Sequence, residues 1–587
     1  MGSFYLLALL RLWLLLPAAE LGDETLAALK ERYAAAQHNA IERARTAQEI
    51  ASLGTDDALE FLSEQFFTER ERAVRRALLD GLLRGGNALQ RLGKAQRVLR
   101  EASLASDPYL RARSIGAYIV LAPREALQRA KDILLYDEDG RVRQAAIQVL
   151  GKDLDLDGAA FLIEACAVRP FEEQRVAVLL LSAWPRLEEL LGAEAPFWRE
   201  ASQSPAQHLL ATLVLASRAS PSSKSLLQRL SREEDRRIAA TAAIGVDRIR
   251  GQGTGSAVKR ILAGTRDSED RCEVLDVIGR IGLRDPGLTE VLAAELRHRD
   301  WRLRAIAAEA LGGAAGEGGI APLAELLGRE KVWQVRIAAI RALGSCTQGA
   351  AVEPLIDALE LARGREASEA ARALGRLTGM SLGRNAATWR QWWQDHRDSF
   401  SFPPPEVALW VEAASPSDRY AFYGIEVDSE QVAFALDTSG SMQGSPLDVL
   451  KGELTPLVKG LPAGTLFNMV FFDSTVKPWR EGLVALNDAT RTEALHTVRY
   501  LEAGGGTDLW GGIGACLTDE RVDSIYLLSD GQPTAGKIQN VEAICEELTV
   551  MNRHRRVTFH VVLIGYSSES FRKLAQDSGG TYVEVGR

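Results

Sequence analysis

The chain has 587 residues, a formal net charge of −9, 46% apolar residues and 25% charged residues. That composition excludes a small disulfide scaffold and global disorder, and it leaves ample length to bury a core. The acidic balance gives no general electrostatic drive toward nucleic acid or anionic lipid, because counterion release needs clustered positive charge.

The segment from Phe4 to Ala19 is almost wholly apolar, is interrupted by Arg11, and ends at Pro17-Ala18-Ala19 before Glu20 and Asp23. Residues 1–19 therefore read as a secretory signal peptide, which predicts a periplasmic or extracellular protein. No Lys or Arg precedes the apolar run, and a buried first helix is the alternative reading. No later stretch holds the roughly 20 uninterrupted apolar residues that cross a bilayer, so no membrane span is expected in the mature chain. Cys166, Cys272, Cys346, Cys516 and Cys545 are too widely spaced for a metal knuckle or a disulfide framework. They are expected to be small buried apolar residues.

From about residue 55 to 380 a pattern returns: an acid, three residues, an Arg, then an Ala-rich helix. Asp139-Gly-Arg-Val-Arg143 opens one copy and Asp300-Trp-Arg-Leu-Arg304 another. Glu71 with Arg75, Asp107 with Arg111, Glu233 with Arg237 and Asp267 with Arg271 keep the same spacing. Gly245, Gly279, Gly312, Gly344 and Gly375 lie 34, 33, 32 and 31 residues apart, a period that fits a pair of helices. Each acid is expected to cap its helix and to pair with the Arg one turn later. Asp107-Pro108 adds proline at the first helical position, and each closing glycine is expected to supply a left-handed helix end. A single pair cannot bury its apolar face, so the pairs must stack.

The segments Val142-Arg143-x-Ala145-Ala146 and Val335-Arg336-x-Ala338-Ala339 resemble HEAT repeats. The resemblance implies an all-α superhelical solenoid over residues 20–385, whose long surface would hold a protein partner. The period is short for armadillo repeats, and the signature residues of tetratricopeptide repeats are missing. Some HEAT-like repeats occur in bilin lyases, but no residue here marks that chemistry. Between Pro170 and Ser231 the pattern degrades at Trp184, Trp198 and Pro205, which predicts irregular helices there. The Gly251-Gln-Gly-Thr-Gly255 stretch lacks the endings of phosphate-binding motifs and reads as a loop between repeats.

Residues 386–418 read as a joint. Trp389, Trp392 and Trp393 share one helical face and are expected to cap the last repeat. Three consecutive prolines within Ser401–Pro405 then predict a semi-rigid spacer.

Over residues 419–587 apolar runs alternate with helical segments. Strands are expected at Val432–Leu436, Leu466–Phe472, Ser524–Leu528, Val557–Ile564 and Thr581–Val585, with helices at Leu447–Lys459 and Ile538–Met551. This is the pattern of an α/β doubly wound, Rossmann-like domain whose ligands bind beyond the carboxyl ends of the strands. Three loops at such ends carry oxygen donors: Asp437-Thr-Ser439-Gly-Ser441, Gly504-Gly-Gly-Thr507-Asp508 and Ser529-Asp530-Gly531. These are hard donors suited to Mg²⁺, Ca²⁺ or Mn²⁺, with no His or Cys among them to favour zinc.

The order and spacing of Asp437, Ser439, Ser441, Thr507 and Asp530 resemble a von Willebrand factor type A domain with a complete metal ion-dependent adhesion site. The resemblance implies that Ser439 and Ser441 bind the metal directly, Thr507 directly or through water, and Asp437 and Asp530 largely through water. Tyr423-Gly424-Ile425 and Phe471-Phe472-Asp473 are similar to the bacterial and inter-alpha-trypsin-inhibitor-like branch. The chain stops just after its last expected strand, so the terminal helix of integrin-type switching is expected to be absent. The whole reads as a noncatalytic adaptor: a partner's Asp or Glu completes the metal's coordination, and a second protein lies on the solenoid. The alternative is a metal-dependent hydrolase with a regulatory solenoid. It would need a base near the metal, and Asp473 and Asp508 are the extra acids available; His496 and His554 stand isolated.

Overall fold

The computed structural model describes residues 25–85, 93–199, 203–281, 286–314, 316–346, 348–401 and 420–586. The expected signal peptide and most of the proline spacer fall outside these residues. Contacts divide the chain into two compact units, one of Met1–Ala358 with Ala370–Ala414, the other of Leu359–Glu369 with Ser415–Arg587.

The first unit is helical throughout its described length, and paired helices begin already at Leu26–Ala35 and Ala40–Ser52. The helices Ala40–Ser52, Arg72–Arg84, Pro108–Leu121, Gly140–Leu150, Phe171–Ala183, Pro205–Arg218, Arg236–Ile249, Ser268–Ile281, Trp301–Ala314 and Trp333–Gly344 each pack on the next. A solenoid results, each repeat burying the apolar face of its neighbour. Expected caps form: Asp107 accepts from the Tyr109 N–H ahead of Pro108, Asp139 from that of Arg141, and Asp300 from that of Arg302. Glu71 makes no side-chain cap, and Asp235, two residues beyond the expected Glu233, caps its helix through the Arg237 and Ile238 N–H groups.

The pairing of acid with Arg differs from the expected one-turn spacing. Arg111 reaches forward to Asp137, Arg143 to Glu173, Arg271 to Glu295 and Arg304 to Glu330. Asp139 and Asp300 are held instead by the guanidiniums of Arg141 and Arg302. The reason is direction. Each Arg also donates to carbonyls that close the preceding helix, as Arg304 does to His298 and Arg299, and this aims its planar fork at the neighbouring repeat. The array is thereby tied repeat to repeat.

The periodic glycines correct a second expectation. Gly245, Gly279, Gly312 and Gly375 lie inside helices and Gly344 is the last residue of one, none with positive φ. Their work is close approach: a Cβ on Gly312 would sit 2.6 Å from the Ala342 Cα, and one on Gly344 2.7 Å from the Ala373 Cβ. Glycine on one helix thus faces alanine on the next.

Between Pro170 and Ser231 two regular helices, Phe171–Ala183 and Pro205–Arg218, flank the short helix Leu187–Leu191 and the 3₁₀ turn Pro196–Arg199. The Trp184 and Trp198 indoles donate to the carbonyls of Leu154 and Leu191. The helix Ala386–His396 buries Trp389 and Trp393, and the ring of Trp393 lies against Gly349 of the preceding repeat. All five cysteines are buried, and none joins a disulfide among the described residues.

Among its described residues the second unit holds nine strands: β1 (Ala421–Phe422), β2 (Ile425–Glu426), β3 (Gln431–Asp437), β4 (Leu466–Phe472), β5 (Val476–Pro478), β6 (Val484–Ala485), β7 (Ser524–Ser529), β8 (Thr558–Ile564) and β9 (Tyr582–Val585). The main sheet runs β5-β4-β3-β7-β8-β9, with β6 also on β4. β4, β3, β7, β8 and β9 are parallel, while β5 and β6 pair antiparallel at the β4 edge. Those two pieces, too short to show a period, make the sheet mixed where a parallel one was expected. Its helices are α1 (Ser445–Gly460), α2 (Asp488–Arg499), α3 (Leu509–Cys516), α4 (Val541–Arg555) and α5 (Glu569–Ser578).

The continuous apolar strands reflect burial on both faces. Phe434 and Leu436 of β3 join Leu450, Leu454, Phe467 and Tyr526 on one side. Ala433 and Ala435 join Ile513, Ile525, Val561 and Phe571 on the other. The small residues belong to the side where α3 comes close: a Cβ on Gly512 would lie 2.3 Å from the Phe472 ring.

Candidate functional site

The chain leaves β3 for its neighbour β4 on one side and later returns to β7 on the other. The loops after β3 and β7 therefore diverge at the point where strand order reverses, the place where doubly wound sheets leave a crevice. Asp437 is the last residue of β3 and is fully buried. Its Oδ1 accepts the Ser439 N–H at 2.8 Å, and this local turn curls the loop back over the strand end. The 3₁₀ turn Gly440–Met442 follows, and Gly444, at φ +81°, leads the chain into α1. The Ser439 and Ser441 hydroxyls meet at 3.0 Å. Ser441 donates across the sheet end to Asp530 Oδ1 at 2.7 Å, joining the first loop to the third.

The middle loop is fastened by backbone bonds. The Gly440 N–H donates to the Gly505 carbonyl and that of Gly504 to Thr438. The Thr507 N–H donates to the Thr534 hydroxyl, and the Thr507 carbonyl accepts from Thr534 and Ala535. A Cβ on Gly531 would lie 3.5 Å from Ser441 Oγ and 3.9 Å from Thr507 Oγ1, so glycine leaves room where the hydroxyls converge. All five sequence-predicted residues thus gather at one sheet end. Asp437, Ser439, Thr507 and Asp530 are buried and Ser441 is exposed at the mouth.

The electrostatics of this cluster favour a cation. Burial pushes the Asp437 carboxyl up, hydrogen bonds from Ser529 and Ser439 pull it back, and the neighbouring Asp530 charge raises it again. Two carboxylates and three hydroxyls form a hard, all-oxygen donor set that fits Mg²⁺, Ca²⁺ or Mn²⁺. The two other acids of the region are engaged elsewhere. Asp508 caps α3 through the Gly511 N–H, and Asp473 binds Lys477 and Thr475.

The sequence reading missed the groups behind the site. Ser529 is fully buried and donates to Asp437 Oδ2 at 2.5 Å. Ser474 receives the Gly506 N–H at 2.7 Å. Ser529 had a readable signal, a hydroxyl at the end of a strand bound for the Asp437 neighbourhood. The roles of Ser474 and Thr534 depend on which loops meet.

A sequence model of the von Willebrand factor type A domain matches residues 430–584, and one of HEAT repeats matches residues 289–375. Human von Willebrand factor A domain-containing protein 3A is 30% identical over 166 residues, 27% of this chain and 14% of that protein. Inter-alpha-trypsin inhibitor heavy chain H1 of Sus scrofa is 31% identical over 120 residues, 18% of this chain and 13% of that protein. The chain thus spans about one seventh of the length of these curated relatives. A solved von Willebrand factor type A structure from Catenulispora acidiphila is 21% identical with a TM-score of 0.24, over 27% of this chain and 40% of that one. Among the described residues no helix is long and apolar enough to cross a membrane. The chain thus combines a helical solenoid, similar over residues 289–375 to HEAT repeats, with a carboxy-terminal α/β domain similar over residues 430–584 to the von Willebrand factor type A domain.

Proposed function

We propose that the protein is a noncatalytic adaptor whose carboxy-terminal domain captures an acidic side chain of a partner protein through a divalent cation, while the HEAT array holds a second protein. The observation that carries this reading is the convergence of three separate loops on one point, joined by the Ser439–Ser441–Asp530 hydrogen bonds. Asp437, Ser439, Ser441, Thr507 and Asp530 would hold the metal, Mg²⁺ in the first instance. Once bound, the cation offsets the two carboxylates and offers an open coordination position to an Asp or Glu. Ser441, at the exposed mouth, faces the incoming partner. Asp437 stays fixed from behind by Ser529 and by its own turn.

The hydrolase alternative is weaker because a water-activating base is wanting: Asp508 and Asp473 are committed to a helix cap and to Lys477. The apolar run from Phe4 to Ala19 supports export, with the adaptor working outside the cytoplasm.

The test compares proteins retained by the chain in millimolar Mg²⁺, in EDTA, and with Asp437→Ala. The expected result is one set of partners lost under both perturbations and another set indifferent to both. Retention of every partner with Asp437→Ala and in EDTA would overturn metal-dependent capture.

A further inference from the structure

The chain leaving β8 runs beside the site loops. Register pairs Ser529 with Leu563 across β7 and β8, so Ile564-Gly565-Tyr566 passes the same sheet end as Ser529-Asp530-Gly531. This segment is held in place. Gly565, at φ +78°, donates its N–H to the Val585 carbonyl at 2.8 Å, and the Ser568 N–H donates to the Tyr582 hydroxyl. Tyr566 is thereby half-buried, with its hydroxyl oxygen buried and without a hydrogen-bond partner among the described residues. An unsatisfied buried hydroxyl is costly, and the polar groups around this one are the Ser529 hydroxyl, the carboxylates of Asp437 and Asp530, and Tyr582, whose hydroxyl already accepts from the Ser568 N–H.

Ser529 has the complementary need. Its hydroxyl points its proton at Asp437 Oδ2 at 2.5 Å, with the Gly531 carbonyl a second acceptor at 3.2 Å, and among the described residues its lone pairs receive a long 3.4 Å approach from the Gly531 N–H. We infer that Tyr566 is a positioning residue of the metal site, its phenol donating to Ser529 Oγ so that a chain Tyr566–Ser529–Asp437 orients the Asp437 carboxylate toward the cation. Such a chain strengthens each bond in it, because each donor is polarised by the one behind. Outer partners of this kind fix a ligand's orientation, and their loss typically costs roughly tenfold or more in metal affinity. The inference rests on the metal reading above and adds to it a residue from the loop after β8, a loop that supplies none of the five predicted ligands.

The test uses the full chain and Mn²⁺ alone, followed by electron paramagnetic resonance, with wild type, Tyr566→Phe, Ser529→Ala, the double variant and Asp437→Ala. The phenylalanine fills the same space and removes only the proton. Expected are loss of binding in Asp437→Ala, about tenfold weaker binding in Tyr566→Phe with an unchanged metal-free melting midpoint, and a double variant no weaker than Ser529→Ala alone. Wild-type affinity in Tyr566→Phe, beside lost binding in Asp437→Ala, overturns the inference and leaves the metal reading standing. Equal binding by wild type and Asp437→Ala, or none by either, removes both. Should Tyr566→Phe also lower the metal-free midpoint, the cycle decides: additive losses overturn the inference, and non-additive ones uphold it.

Discussion

Substituting Gly312 by alanine tests the packing of the repeats directly. Within a helix, Gly→Ala ordinarily adds up to about 1 kcal/mol of stability through helix propensity. At Gly312 the new methyl would stand 2.6 Å from the Ala342 Cα, 2.7 Å from its Cβ and 2.9 Å from its carbonyl oxygen. Two of those atoms are backbone, so no rotamer relieves the contact, and the helices Trp301–Ala314 and Trp333–Gly344 must part by about 1 Å to reach ordinary contact distance. Overpacking of this kind costs about 1–3 kcal/mol. Gly116, in the helix Pro108–Leu121, is the control, because a Cβ there meets nothing within 4 Å. Since the propensity gain is common to both variants, their difference isolates the clash. Gly116→Ala is expected to stabilise by up to about 1 kcal/mol and Gly312→Ala to fall about 1–3 kcal/mol below it. Urea midpoints report the net effect, and amide exchange in Trp301–Ala314 and Trp333–Gly344 localises it. Equal stabilisation by the two substitutions refutes the close-approach account of the periodic glycines.

The buried pair Arg143–Glu173, bonded at 2.7 and 3.0 Å, predicts that Glu173→Ala destabilises by about 3–5 kcal/mol in denaturant titration, whereas replacing both residues by apolar ones costs much less. Asp523 is fully buried, and desolvation pushes its carboxyl up to about 6 although Arg365, Ser429 and Ser524 pull it down and Asp428 adds to the rise. Because its folded-state value exceeds the unfolded one, its contribution is fully present below about pH 4 and is lost as pH rises through about 6, at most about 3 kcal/mol. Urea midpoints across that range should fall more steeply for wild type than for Asp523→Asn; equal slopes would remove Asp523 as the cause. If the five-oxygen cluster binds Mg²⁺, cation at a hundredfold over its dissociation constant adds about 2.7 kcal/mol, raising the wild-type melting midpoint and leaving that of Asp437→Ala unmoved.

What the sequence determined by itself was whatever depends on local spacing. The period near 32 announced helix pairs that must stack, and the caps at Asp107, Asp139 and Asp300 followed from residues two positions away. The convergence of the five proposed site residues was legible because each sits at the end of an apolar strand or beside a glycine-rich turn, where a doubly wound sheet places its crevice. Tertiary structure decided everything that depends on which surfaces meet. The Arg side chains passed over the acids one turn away because the neighbouring repeat offered acids to complete their forks, as Glu173 does for Arg143 and Glu330 for Arg304. Gly245, Gly312 and Gly344 meet alanines some 29 or 30 residues away, on neighbouring helices, a distance no local rule spans. Ser529, Ser474, Thr534 and Tyr566 gained their places behind the site only when separate loops closed around it. Backbone propensity and capping act over a few residues, whereas packing and charge pairing select partners from the whole folded chain.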